Sequence, residues 1–168
     1  MPEIRTLLAH GYFTSDDKLR IEIDTIHQWL TEESAWARGR TRDIVEPSIA
    51  HALAIGLYTF DGAQAGFARA VTDYTLNARL TDVFILPQHR GKALATGLVR
   101  AVLDHPSMTT VRAWTLNTDN AHSLYARFGF TTPKHNDRCE ASAGRCSGPR
   151  LVRRAPSRDG PSPWTSYH

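Results

Sequence analysis

The stretch VFILPQHRGKALATGLVRAVL, residues 83–103, changes its apolar period partway along. Val83–Leu86 are β-branched, aromatic or aliphatic without a break, which predicts a strand that Pro87 stops. A short polar turn follows, and from Gly91 to Leu103 the apolar residues Leu94, Leu98, Val99 and Val102 recur at helical spacing. A helix start exposes N–H groups that have no intrahelical acceptor and carries the positive end of the helix dipole. Arg90 and Lys92 add charge at the same place. Strand, turn and basic helix start together make a cradle suited to a diphosphate.

Outward from this segment the chain alternates between strand and helix patterns. Upstream, Ala78–Leu86 reads as one β-prone run. Ala54–Phe60 and Gln64–Thr72 flank Asp61-Gly62, a strong hairpin signal because Gly accepts positive φ. Before the hairpin, a helix is expected from near Thr25, whose spacing to Gln28 fits a capping box. A second is expected over about Thr41–Leu53, with Pro47 as a complication. Residues 4–13 predict a first strand, and the alternation of Leu19, Ile21 and Ile23 predicts another extended piece. Downstream, Thr110–Leu116 predicts a strand, Ala121–Phe128 a short helix ending at Gly129, and Phe130–Pro133 an extended segment. Such an order requires hairpin and crossover connections alike. The fold class is therefore α/β (α+β), a mixed central sheet flanked by helices.

The 168 residues suit one domain with a sizeable core, and a 41% hydrophobic, 22% charged composition is that of a globular protein. No apolar run approaches the roughly 20 residues of a membrane span, and the N-terminus lacks a secretory pattern, so a cytoplasmic location is expected. From Lys134 onward seven basic residues stand against three acidic ones, a net +4, leaving −1 for residues 1–133. The basic balance thus belongs to a Pro-, Gly-, Ser- and Arg-rich tail, and nucleic-acid binding by the fold itself is not expected. The expected division is a domain at 1–133 and a tail at 134–168, with Arg150–Ala155 as a candidate edge strand. Cys139 and Cys146 do not have CxxC spacing and the eight histidines are scattered, so no metal site is expected.

The residues Gln88-His89-Arg90-Gly91-Lys92-Ala93 resemble the Gln/Arg-x-x-Gly-x-Gly/Ala loop of the GNAT N-acetyltransferase superfamily. Ala121-His-Ser-Leu-Tyr125-Ala-Arg-Phe-Gly129-Phe130 resembles the family's A-x-x-L-Y-x-x-x-G-F helix, and Gly66-Phe67-Ala68-Arg69 resembles its third strand. The resemblance implies a GNAT fold, acetyl-CoA as co-substrate, and transfer of its acetyl group to a primary amine of a small molecule by direct attack. With no cysteine in residues 1–133, a cysteine acyl-enzyme is disfavoured.

The resemblance also implies roles for particular residues. Gln88, Arg90, Gly91, Lys92, Ala93, Leu94 and Ala95 match the diphosphate loop, and Val83, Phe84 and Ile85 match the strand that pairs with the pantetheine arm. Tyr125 matches the acid that protonates the departing thiolate. Asp82 stands where family members often carry a carboxylate able to accept the amine's proton, directly or through water. Asp73 and Tyr74 are candidates on the acceptor side. Trp29 and Trp36 are read either as core aromatics or as walls of the acceptor pocket. Ala93 departs mildly from the family's glycine-rich loop. The usual last strand is not recognisable after Pro133 except at Arg150–Ala155. That gap supports an alternative, a repurposed or non-catalytic GNAT fold, and a free sheet edge there would favour a homodimer.

Overall fold

A computed structural model describes residues 2–34, 37–133 and 150–154. Seven strands lie side by side in chain order: β1 (Arg5–Leu7), β2 (Phe13–Ser15), β3 (Leu53–Tyr58), β4 (Gln64–Thr72), β5 (Asn77–Ile85), β6 (Ala113–Asn117) and β7 (Arg150–Arg154). Every pairing is antiparallel except β5 with β6, whose crossover runs through α3 (Leu94–Leu103). The other α-helices among the described residues are α1 (Ile23–Glu32), α2 (Arg42–Ala50) and α4 (His122–Ala126). This is the mixed α/β sheet that the segment order predicts.

Two apolar layers enclose the sheet. In one, Leu94, Leu98, Val99 and Val102 of α3 pack with Ala68, Ala70, Leu80, Trp114 and Leu116. In the other, Ile26, Trp29 and Leu30 of α1 and Val45 and Ile49 of α2 pack with Ala54, Phe67 and Phe84. Each such aliphatic side chain contributes about 1.5–3 kcal/mol by leaving water. Gly66 is required by close packing in β4, because a Cβ there would lie 2.6 Å from the Phe84 carbonyl oxygen.

One irregularity sets the site. Across β4 and β5, Phe67 pairs with Phe84 while Arg69 pairs with Thr81, so β5 carries one extra residue. Asp82 lies in that bulge at φ 52°, a left-handed conformation that Asp tolerates better than most residues. Before the bulge Ala78 and Leu80 face the α3 layer; after it Phe84 faces the α1 and α2 layer.

Several local expectations shift for physical reasons. The apolar run at 4–13 is two strands, because His10 and Gly11 take positive φ and reverse the chain. Leu19 is 96% exposed in a single 3-10 turn capped by Asp17, and α1 then opens at Ile23. The Thr25 hydroxyl donates to Glu22 at 2.8 Å instead of capping from its own position. Helix α2 ends at Ala50 with Pro47 inside it, and Leu53 begins β3. The hairpin at Asp61-Gly62 is present, with Gly62 at φ 93°. After Pro133, β7 lines up antiparallel to β6 and buries Leu151 opposite Leu116. The amide and carbonyl of Val152 bond Thr131 at 2.8 Å each on the outer side.

Candidate active site

Strands β5 and β6 pair only from Asn77 to Arg79, opposite Ala113 to Thr115. Beyond that point they diverge, so β5 from Thr81 to Ile85 has β4 on one side and no described strand on the other. A parallel pair that separates leaves backbone donors and acceptors along its inner edge, able to pair with an extended ligand arm. Val83, Phe84 and Ile85 lie on this edge. Phe84 stacks on Trp29, with ring centroids 3.9 Å apart, while Val83 and Ile85 pack against the α3 core.

The gap runs into the turn before α3. Gly91 and Ala93 both take positive φ, 80° and 55°, and Ala93 is the residue before the helix. The amides of Gly91, Lys92, Ala93, Leu94 and Ala95 donate to no backbone carbonyl among the described residues. Five successive unspent donors at a helix start, on an exposed turn, form an anion-binding concavity. Gln88 lies in the 3-10 turn Pro87–His89. The Arg90 Nε donates to the Ile85 carbonyl at 2.9 Å, tying the loop to the strand end. The Leu94 side chain is buried in the core, so only its amide faces the loop.

A clamp that sequence reading misses steadies this turn. Lys92 Nζ donates to the Tyr12 hydroxyl at 2.8 Å, and that hydroxyl is 2.9 Å from His89 Nδ1. The hydroxyl accepts from the ammonium and has both a proton and a second lone pair with which to meet Nδ1. Tyr12 is 6% exposed, so a buried phenol from the start of the chain joins both sides of the turn.

Tyr125 lies on α4 in the apolar cluster against which Val83 and Ile85 pack, edge-on to Phe130. Its hydroxyl makes no hydrogen bond with a described residue, and burial pushes the phenol up to about 12. The geometry thus brings the Gln88–Ala95 loop, the side chains of Val83 and Ile85 and Tyr125 to the α3 side of the sheet, while Phe84 points to the other.

Asp82 lies on the other side, 4% exposed. Its Oδ2 accepts from Arg69 Nε at 2.8 Å and Nη2 at 2.6 Å, and Arg69 Nη1 reaches the Ser48 carbonyl at 3.1 Å. Its Oδ1 has two longer contacts, Thr81 Oγ1 at 3.2 Å and Arg40 Nη1 at 3.4 Å. Arg69 and Arg40 are the second and third contributors that sequence reading misses. Asp73 and Tyr74 occupy the β4–β5 turn, and Asp82 is five residues along β5 from Asn77, roughly 16 Å at the usual rise per residue. The Asp73 Oδ1 accepts from the amides of Asn77, Thr75 and Leu76, which hold its carboxyl down at about 2. Trp36 lies outside the described residues, as do Cys139 and Cys146. Among the described residues no three His, Cys, Asp or Glu side chains converge as metal ligands do, and no helix is long and apolar enough to cross a membrane.

Comparison with known proteins adds to this geometry. A family model described as "Acetyltransferase (GNAT) domain" matches residues 52–132. A crystallised Xanthomonas campestris pv. campestris protein assigned to the GNAT family is 40% identical; the match covers 73% of this chain and 85% of that one, with a TM-score of 0.70. A provisionally named acetyltransferase of Gibberella zeae is 27% identical over 141 residues, 71% of this chain and 78% of its own length. N-acetylglutamate synthase of Neisseria gonorrhoeae, solved with coenzyme A and N-acetyl-glutamate, is 21% identical with a TM-score of 0.61. That match covers 79% of this chain and 32% of the synthase, and it bears on the fold alone.

Proposed function

The chain belongs to the GNAT acetyltransferase family, and from that premise we propose that it moves an acetyl group from acetyl-CoA to a primary amine of a small molecule by direct attack in a ternary complex. The observation that carries the reading is the diverging β5–β6 pair opening onto five unspent amides at the start of α3. A linear molecule with a diphosphate at one end and amide groups along its length fits both halves of that arrangement.

Acetyl-CoA supplies an activated acyl carbon and a thiolate leaving group. The amides of Gly91–Ala95 hold the diphosphate, with Lys92 and Arg90 beside it and the Tyr12 clamp keeping the turn in shape. The inner edge of Val83–Ile85 fixes the pantetheine arm, and so the thioester. The amine attacks the thioester carbon, a carbon–nitrogen bond forms, and the carbon–sulfur bond breaks. Tyr125 gives its proton to the sulfur; with its acidity depressed by burial, it is fully protonated at neutral pH. Proton acceptance from the amine falls to Asp82 Oδ1 through water, since Oδ2 already takes two guanidinium donors. Asp73 has its Oδ1 committed to the turn, so its part is to shape the β4–β5 loop.

Strand β7 beside β6 supports turnover over a repurposed fold, because the candidate edge strand at Arg150–Ala155 takes the place of the last strand. A homodimer belongs to the same proposal, although the free C-terminal edge expected to favour it is taken by β7, whose Val152 also bonds Thr131. The test is Tyr125→Phe: kcat should fall about tenfold to a thousandfold with acetyl-CoA affinity retained. An unchanged kcat would remove Tyr125 from the role of acid.

A further inference from the structure

Resting on that acetyl-transfer reading, the structure assigns the acceptor: a small amino acid, with its ammonium and carboxylate close together, bound between Asp82 Oδ1 and Arg40. Two arginines, Arg69 and Arg40, converge on one carboxylate, so the cluster carries one positive charge in excess. All three nitrogens of the Arg69 guanidinium donate, two to Asp82 and one to the Ser48 carbonyl. Arg40 differs. Among the described residues its guanidinium has a single contact, 3.4 Å to Asp82 Oδ1, and its side chain is 35% exposed where that of Asp82 is 2% exposed. The backbone of Arg40 is fixed, because its carbonyl bonds His27 Nε2 at 3.0 Å. The guanidinium is therefore held on a steady stem, and among the described residues most of its fork of donors is unused.

The location matters as much as the charge. Asp82 is the bulge residue where β5 leaves β6, and its side chain faces the α1 and α2 layer, opposite α3. The cofactor loop lies at the start of α3, so an acceptor approaching from the Arg40 face meets the gap from the other side. A simple amine would bring one more positive charge to a cluster already in excess by one. A carboxylate-bearing amine is a net-neutral zwitterion, so it adds nothing to that excess and sets its own negative charge against Arg40. Its carboxylate takes the planar donor pair of Arg40 in bidentate fashion, and its ammonium takes Oδ1, the oxygen with only long contacts. Arg40 and Asp82 are adjacent, so the two acceptor charges must be near neighbours, as in an α- or β-amino acid.

The experiment is a thiol-release assay with acetyl-CoA on the full chain. It uses acceptors in matched pairs, each amino acid against its decarboxylated amine: ornithine with putrescine, glutamate with 4-aminobutyrate, phenylalanine with phenethylamine. Calorimetric titration of the same compounds, with and without coenzyme A, runs alongside. For at least one pair, kcat/KM should favour the α-amino acid by tenfold or more. Arg40→Gln should cut that preference ten- to a hundredfold, with Arg40→Lys in between because it keeps charge and loses the fork. Arg40 is partly exposed, so these variants keep the fold, and an unchanged acetyl-CoA affinity checks this. Decarboxylated amines preferred throughout, or a preference that Arg40→Gln leaves intact, overturns the assignment while acetyl transfer stands. Absence of acetyl-CoA binding overturns the acetyl-transfer reading instead, and the calorimetric arm then reads the Arg40 site by itself. Amino acids that neither bind nor react overturn the assignment.

Discussion

Replacing Arg69 with Met isolates the buried charge pair behind the gap. The Asp82 side chain is 2% exposed and that of Arg69 10%, and two of the carboxylate's close contacts, at 2.6 and 2.8 Å, come from this one guanidinium. With Arg69 gone, Asp82 keeps, among the described residues, the Thr81 hydroxyl at 3.2 Å and Arg40 at 3.4 Å. Breaking a buried pair from one side leaves an uncompensated charge and costs about 3–5 kcal/mol. For a domain of this size that lowers Tm by roughly 6–20 °C. Removing both charges, as Arg69→Met with Asp82→Asn, should return stability to within about 1–2 kcal/mol of wild type, and Asn also suits the positive φ at this position. Urea unfolding followed by circular dichroism gives the double-mutant cycle, with an expected coupling of about 2 kcal/mol or more. Arg69→Met costing less than about 1 kcal/mol, or two effects that simply add, would refute the account of Asp82 as a carboxylate buried against Arg69.

Ala93 holds φ 55° before α3, so Ala93→Gly should relieve about 1 kcal/mol of strain and raise Tm by about 2–4 °C in a thermal melt; a lower Tm would contradict that conformation. Tyr12→Phe removes the hydroxyl between Lys92 and His89, and should weaken acetyl-CoA binding about three- to tenfold in calorimetry while kcat at saturation changes little. The Tyr125 phenol is raised by burial from 10.0 to about 12, so its contribution to stability is complete below pH 10 and is lost as pH rises to 12, about 2–3 kcal/mol in all. Tyr58, also shifted upward by burial, adds to the loss in the same direction. Denaturant midpoints between pH 9.5 and 11.5 should fall, and by less in Tyr125→Phe; a flat series would show that the phenol is not buried.

The parts of the fold that sequence reading reaches are those whose signals are local. The change of period over residues 83–103 yields strand, turn and helix, and Asp61-Gly62 yields the hairpin, because each depends on neighbours in the chain. Strand β7 shows in sequence only as a candidate edge strand at Arg150–Ala155, since five residues with only Leu151 and Val152 apolar sit in a Pro- and Arg-rich segment, and their order comes from pairing with β6. The bulge is invisible for a related reason: an extra residue in β5 has meaning only against β4. Tyr12, Arg40 and Arg69 escape because their partners lie 80, 42 and 13 residues away. Asp73 shows the reverse limit. A carboxylate beside a strand looks available in sequence, while in the fold one of its oxygens accepts from three amides of its own turn.

The central claim is that the gap between β5 and β6 and the amides of Gly91–Ala95 together hold acetyl-CoA. Calorimetric titration of the full chain with acetyl-CoA tests it most directly, beside Gly91→Val. That variant puts a β-branched side chain at φ 80°, where open space rules out a simple clash and only the turn's conformation is disturbed. The account predicts one site per chain in the micromolar range, weakened at least tenfold by Gly91→Val. Absence of binding at millimolar acetyl-CoA, or binding that Gly91→Val leaves untouched, would contradict it.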